Sequence, residues 1–414
     1  MSTHKLISVI VAVTTLGWGV QGLALQPETE PESAAQKLVE DNNQFAFNLY
    51  RQLAADEPGN LFFSPYSIST AFAMTYAGAR NETARQMAEA MVFNLPDRQL
   101  HQAFEASTER IQEIQAGGEV ELSVANALWP QQDYPFLETY LSLIEEHYGA
   151  RVTALDYVSA AEAARQTINQ WVEEQTRDRI QNLIPAGVLT PLTRMVLVNA
   201  IYFKGDWKLQ FATEQTRDAP FYPTPEQTVQ VPMMYQKAHF RYAALERLQL
   251  LELPYRGDQL SMLILLPKPE VELTQLEAEI NAESIAAWHR QSRPREVNVF
   301  LPRFKTTSSL QLNQPLIAMG MRDAFNASKA DFSGMDGRPD SLYISAVLHK
   351  AFIEVNEEGS EAAAATAVIV ATRAVTEPPP EFRADRPFLF MIRENHSGAI
   401  LFLGRLQAPS SQEE

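Results

Sequence analysis

Residues 357–374 read EEGSEAAAATAVIVATRA, and the fold follows from how that run is read. Glu357, Glu358 and Glu361 place charge around the pair Gly359-Ser360. Eleven uncharged small or β-branched residues follow, Ala362 to Thr372, then one cation, Arg373, and a small residue, Ala374. A glycine supplies a backbone hinge because it has no Cβ to forbid unusual φ/ψ. Every second position from Ser360 (Ser360, Ala362, Ala364, Thr366, Val368, Val370) is compact and uncharged. One whole face of an extended strand is therefore fit for burial. The other face, with Ala363 and Ala365, carries no charge beyond Glu361. A second local reading stays open, since alanine is the best helix former and Ser360 can cap a surface helix. Four β-branched residues among the five from Thr366 to Val370 favour the strand. Glu377-Pro378-Pro379-Pro380 then holds an extended, solvated stem without ladder donors. A strand-competent segment, an arginine and a stiff stem read as protease bait on an insertable tether.

Outward from this stretch, Arg386-Pro387-Phe388-Leu389-Phe390 and Phe402-Leu403-Gly404-Arg405 are apolar runs near the C-terminus. Upstream, MVLVNAIYFK (195–204) is nearly continuous apolar sequence and predicts a strand buried on both faces. NLFFSPYSISTAFAMTYAGA (60–79) predicts a core helix, with Ser64 as N-cap and Pro65 in the first turn, where a missing N–H costs little.

Together these segments resemble the serpins, and the 357–374 stretch resembles the hinge and reactive loop of the antithrombin type. The resemblance runs over residues 38–409. It implies an α+β fold of about nine helices around three β-sheets with an exposed reactive-centre loop. It also implies that the fifteenth residue from the hinge glycine precedes the scissile bond; counted from Gly359, that is Arg373, followed by Ala374. Glu357, Glu358, Gly359, Ser360, Glu361 and Ala362 to Ala365 would form the hinge. Ser64, Ser67, Asn199 and His349 would form the family's shutter, with His349 meeting Asn199. Trp207 would sit at the top of the main sheet, and Glu357 would pair with Arg303, where the family usually has lysine. For Ser64, Trp207 and His349 the residues alone equally support ordinary core roles.

Residues 1–24 read as a secretory signal cleaved near Ala24, with His4 and Lys5 before an apolar core; a retained anchor is the other reading. Residues 25–36 read as a disordered linker, 37–409 as one domain and 410–414 as a tail. Helices are expected from Lys37 to Ala55, in two pieces within 82–115, and at Phe136–Tyr148 and Ala160–Arg177. Further strands are expected at Val120–Trp129, Val229–Met234, Gln259–Pro267 and Glu296–Pro302, and Tyr343–Asn356 leads directly into the hinge.

The sequence also excludes chemistry. A net charge of −17 argues against nucleic acid and anionic membranes as partners. The absence of cysteine removes disulfides and thiolate nucleophiles. There is no G-x-S-x-G elbow, H-E-x-x-H or phosphate loop, so no enzyme, metal or cofactor is expected. Asp331, Asp336 and Asp340 lack the spacing of a calcium loop. Residues 82–115 hold mostly Glu, Gln and Ala, with Arg98 and Arg110 isolated, so no heparin site is expected. The expected partner is a trypsin-like serine protease, held covalently by a monomer. A loop register slipped to Ala371 or Val375 would suit an elastase-like enzyme, and a non-inhibitory carrier is a further alternative.

Overall fold

The computed structural model describes residues 31–339, 341–358 and 378–409. Ten helices occur among them: α1 Pro31–Asp56, α2 Pro65–Gly78, α3 Asn81–Met91, α4 Asp97–Ala116, α5 Glu138–Tyr148, α6 Tyr157–Gln175, α7 Leu273–Glu279, α8 Ala282–Gln291, α9 Asn313–Ala318 and α10 Ser333–Asp336. The strands are β1 Leu61–Phe63, β2 Val120–Pro130, β3 Arg151–Val152, β4 Met195–Gly205, β5 Arg217–Thr224, β6 Gln227–Ala244 and β7 Leu248–Pro254. They continue with β8 Leu260–Pro267, β9 Arg293–Pro302, β10 Phe304–Gln311, β11 Leu348–Val355, β12 Glu381–Arg383, β13 Phe388–Glu394 and β14 Ile400–Leu406.

Two hydrogen-bonded sheets result among the described residues, not three. The smaller runs β10-β11-β4-β2-β3; the larger runs β1-β14-β13-β8-β7-β6-β9-β12, with β5 also on β6. The merging agent is β6. It pairs with β5 through Arg217–Thr224 at one end and with β7 through Arg241–Ala244 at the other, and β9 runs beside both parts. One long strand therefore joins two layers into a single ladder.

Local chemistry explains the elements. β8 (LSMLILLP) is buried at every position, as a strand covered on both faces requires. β10 (FKTTSSLQ) alternates buried and exposed, so it faces solvent on one side. α1 begins at Pro31 rather than Lys37, which corrects the linker boundary: proline fits the first turn, and Ala34 is already buried beside Leu38 in the core. Phe45, Leu49 and Leu53 continue that buried stripe. On α6, Ile168 and Val172 are buried and Trp171 packs against their cluster.

The small sheet contains a short parallel seam. β11 and β4 are parallel neighbours, and their register spans only Lys350–Ile353 against Ala200–Phe203.

Candidate functional site

The described chain on either side of residues 359–377 belongs to different sheets. β11 ends at Val355, in the small sheet, and the described chain stops at Glu358. It resumes at Pro378, and β12 then runs parallel to β9 in the large sheet. Gly359, Ser360, Glu361, Ala362 to Ala365, Arg373 and Ala374 lie outside the described residues.

The upstream foot is held by a cluster of side chains and backbone groups. Arg303, at the turn between β9 and β10, forks onto Glu357: Nε donates to Oε2 at 3.0 Å and Nη2 to Oε1 at 2.5 Å. The Thr216 hydroxyl adds a bond to Oε1 at 2.5 Å. The Phe211 N–H donates to the Glu357 carbonyl at 3.0 Å, and the Gln210 amide donates to the Glu358 carbonyl at 3.0 Å. Trp207 Nε1–H donates to the Asn356 carbonyl at 2.9 Å. The Trp207 ring lies flat on Tyr255, with centroids 4.6 Å apart and planes 10° apart. Glu357 is only 3% exposed. Burial alone would raise its carboxyl pKa, but the bonds from Arg303 and Thr216 outweigh that and hold it below the usual range.

Arg303 and Trp207 are legible in the sequence. Gln210, Thr216 and the Phe211 amide are not, because polar residues in an irregular segment carry no periodic signal. Glu358 is exposed and Glu357 buried, so the two adjacent carboxylates have different fates.

The downstream foot is simpler. The Pro380 carbonyl accepts from the Asn298 N–H at 2.9 Å. The Arg383 guanidinium lies 3.6 Å from the Phe300 ring centre and bonds to Glu381 at 2.6 Å.

Ser64, Ser67 and His349 meet below the sheet. Ser64 Oγ accepts from the Ser67 N–H at 3.1 Å, as a helix N-cap does, and donates to the Leu401 carbonyl at 2.7 Å. The Ser64 N–H donates to His349 Nε2 at 3.1 Å. The first residues of α2 are thereby tied to β11 and β14 at once. Burial pulls the His349 pKa down to about 3, so its imidazole is neutral. Asn199 stands opposite Asn126 on β4; its side chain lies outside what is described.

Asp336 accepts from Tyr134 and Ser341, and Asp331 from Asn81, so these carboxylates have structural partners. Among the described residues no group of three or more His, Asp or Glu is placed to hold a metal ion. No described helix is long and apolar enough to cross a membrane. In α4, Arg110 is engaged with Glu113 and Glu394.

Residues 40–409 match the family model described as "Serpin (serine protease inhibitor)". The chain is a serpin. Human leukocyte elastase inhibitor is 44% identical over 384 residues, covering 90% of this serpin and 100% of that protein. Mouse antithrombin-III is 41% identical over 381 residues, covering 90% and 82%. Among solved structures, uncleaved ovalbumin aligns with a TM-score of 0.79 at 34% identity, and maspin with 0.83 at 26%, each over its whole length. Those alignments cover 90% and 91% of this serpin. As a member of an inhibitor family, this serpin is a protease inhibitor and not an enzyme.

The relatives also correct one expectation. Secretion after cleavage near Ala24 finds no support in them: leukocyte elastase inhibitors are matched over 100% of their length by 90% of this chain, so they offer no counterpart to a leader. The secreted assignment is withdrawn.

Proposed function

We propose that this serpin traps trypsin-like serine proteases covalently, with Arg373-Ala374 as the scissile bond. The observation that carries the reading is the parallel pair β4–β11, with the hinge leaving the end of β11. A chain that reverses after Glu358 runs antiparallel to both strands. It would replace one short parallel ladder by two antiparallel ones, and antiparallel pairing is the slightly more stable kind per residue.

Arg373 enters the protease's specificity pocket, where an aspartate pairs with a basic side chain. The protease serine attacks the Arg373 carbonyl carbon. The Arg373–Ala374 peptide bond breaks, the amine of Ala374 leaves as a new N-terminus, and an ester joins Arg373 to the serine. Residues 360–372 then enter the sheet. At a net of roughly 0.5–1.5 kcal/mol per hydrogen bond, that insertion supplies on the order of 10 kcal/mol. The tethered protease travels about 40 Å at ~3.3 Å per residue. Distortion that removes one oxyanion-hole donor slows deacylation roughly 10²–10³-fold, so the ester persists.

A second reading has its own support. Several relatives are named leukocyte elastase inhibitor, and Ala371 or Val375 would suit an elastase-like enzyme if the register slips. Mixing the protein with bovine trypsin and with porcine pancreatic elastase, then running a denaturing gel, separates the two. The expected result is a denaturant-resistant band at the summed mass with trypsin and cleavage after Arg373. Such a band with elastase only, cut at Ala371 or Val375, selects the second reading. Cleavage with no such band from either enzyme removes the inhibitory one. Ser360→Glu, which would place a charge in the sheet without adding a trypsin site, is expected to be cleaved after Arg373 without forming the band.

A further inference from the structure

Asn356, Glu357 and Glu358, where the described chain stops before the reactive segment, all give their carbonyls to one stretch of chain. Trp207 Nε1–H donates to the first at 2.9 Å, the Phe211 N–H to the second at 3.0 Å and the Gln210 side-chain amide to the third at 3.0 Å. That stretch, residues 206–211, follows directly on β4. It is pinned from behind as well. The Arg256 N–H donates to the Asp206 carbonyl at 2.7 Å, the Lys208 N–H to the Pro254 carbonyl at 2.9 Å and the Gln236 amide of β6 to the Leu209 carbonyl at 3.2 Å. Gln236 is 9% exposed, and Trp207 and Phe211 are 3% exposed each. A firmly held segment thus grips three successive carbonyls.

The grip continues the junction of β4 and β11 past their four paired residues. A strand that enters between them from this end must part the two chains here, and the three bonds must break. Trp207 and Phe211 are fixed by burial, and Glu357 by its carboxylate partners Arg303 and Thr216. Gln210 is different. It is only half-buried, and its side chain holds the carbonyl that lies next to the hinge glycine.

We propose that Gln210 is a positioning residue for inhibition: its amide clamps the Glu358 carbonyl and so sets how fast the foot of the loop is released. Entry of the loop races deacylation of the bound protease, and slower release leaves more protein cleaved and uncomplexed. The timing role rests on the insertion proposed above; the clamp does not.

Hydrogen exchange on the full chain tests the clamp without a protease. Opening breaks the three bonds together, so losing one raises the open population by the factor that bond supplied. Gln210→Leu is expected to speed exchange of the Phe211 amide about threefold, the lower part of the range for one hydrogen bond because this one is partly exposed. Exchange of the Ala200–Phe203 amides is expected to stay unchanged. Gln210→Glu, equal in size but turning an acceptor towards the carbonyl, is expected to give at least the same acceleration. Unchanged Phe211 exchange in both variants, or equal acceleration in β4, would overturn the clamp. Timing is read separately. The chain has no cysteine, so Glu361→Cys carries a single environment-sensitive dye. With excess trypsin, the limiting rate of its signal is expected to rise about threefold in Gln210→Leu. An unchanged limiting rate beside faster Phe211 exchange would overturn the timing role. Absence of the denaturant-resistant complex with Gln210 in place counts against the inhibitory reading and removes the timing role with it, while the clamp stands or falls on exchange.

Discussion

At the scale of single residues, Glu357 is the most constrained side chain at the loop's foot. Its carboxylate is buried, yet it accepts three side-chain bonds, two of them from one guanidinium. Arginine suits this place because its planar fork matches a carboxylate in two bonds, whereas an ammonium offers a point charge. Arg303→Ala leaves the carboxylate with Thr216 as its side-chain donor. The Arg303 side chain is 42% exposed, so water partly replaces it and the full penalty of a broken buried pair does not apply. A loss of about 1–3 kcal/mol is expected in urea unfolding, and Arg303→Lys should recover about half of it. A double-mutant cycle with Glu357→Gln checks the assignment: a coupling below about 0.5 kcal/mol would mean that the pair does not hold the foot of the loop.

At the scale of elements, two histidines tie helices into the fold by staying neutral. His349 joins β11 to α2, and His101 of α4 contacts the Tyr148 hydroxyl of α5 at 2.6 Å. Burial draws the first down to about 3; burial and the neighbouring His147 draw the second down to about 4. The unfolded imidazoles take protons near 6.5, above both folded values. Between 6.5 and 4 the unfolded state therefore binds more protons than the folded one, and stability falls as pH falls. Each histidine contributes about 1.4 kcal/mol per pH unit in that window. His101→Gln is expected to halve the slope of unfolding free energy against pH; an unchanged slope would show that His101 is charged in the fold. The elements themselves are unevenly legible in the sequence. β4 and α2 announce themselves, one by an unbroken apolar run and one by a cap followed by proline. β6 does not: Gln236, Lys237, His239 and Arg241 interrupt its apolar pattern, so only Val229–Met234 reads as strand and the joining of two sheets stays hidden. The start of α1 is equally hidden, because a proline among glutamates looks the same in a linker and in a first helical turn. The partners of Glu357 are half legible, since Arg303 is carried by resemblance and Thr216 by nothing local.

At the scale of the whole molecule, the proposed mechanism makes a claim that ordinary folding physics opposes. Cutting a surface loop normally leaves stability unchanged or lowers it, because the freed ends gain entropy in the unfolded chain. The proposed mechanism has the cut chain add a strand between β4 and β11, where the described structure has a parallel register of only four residues. If insertion supplies on the order of 10 kcal/mol, the intact fold is held by a barrier and not by its free-energy minimum. Trypsin cleavage at Arg373 in Ser360-containing protein is then expected to raise the midpoint of thermal unfolding by about 20 °C, taking about 2 °C per kcal/mol for a domain this large. Ser360→Glu cut at the same bond provides the control, since its charged hinge opposes burial without adding a trypsin site, and it should gain little or nothing. Calorimetry on the intact and cleaved forms of both proteins decides the matter. Equal midpoints before and after cleavage of the wild type would mean that the loop stays outside the sheet, and covalent trapping would then need a different source of work.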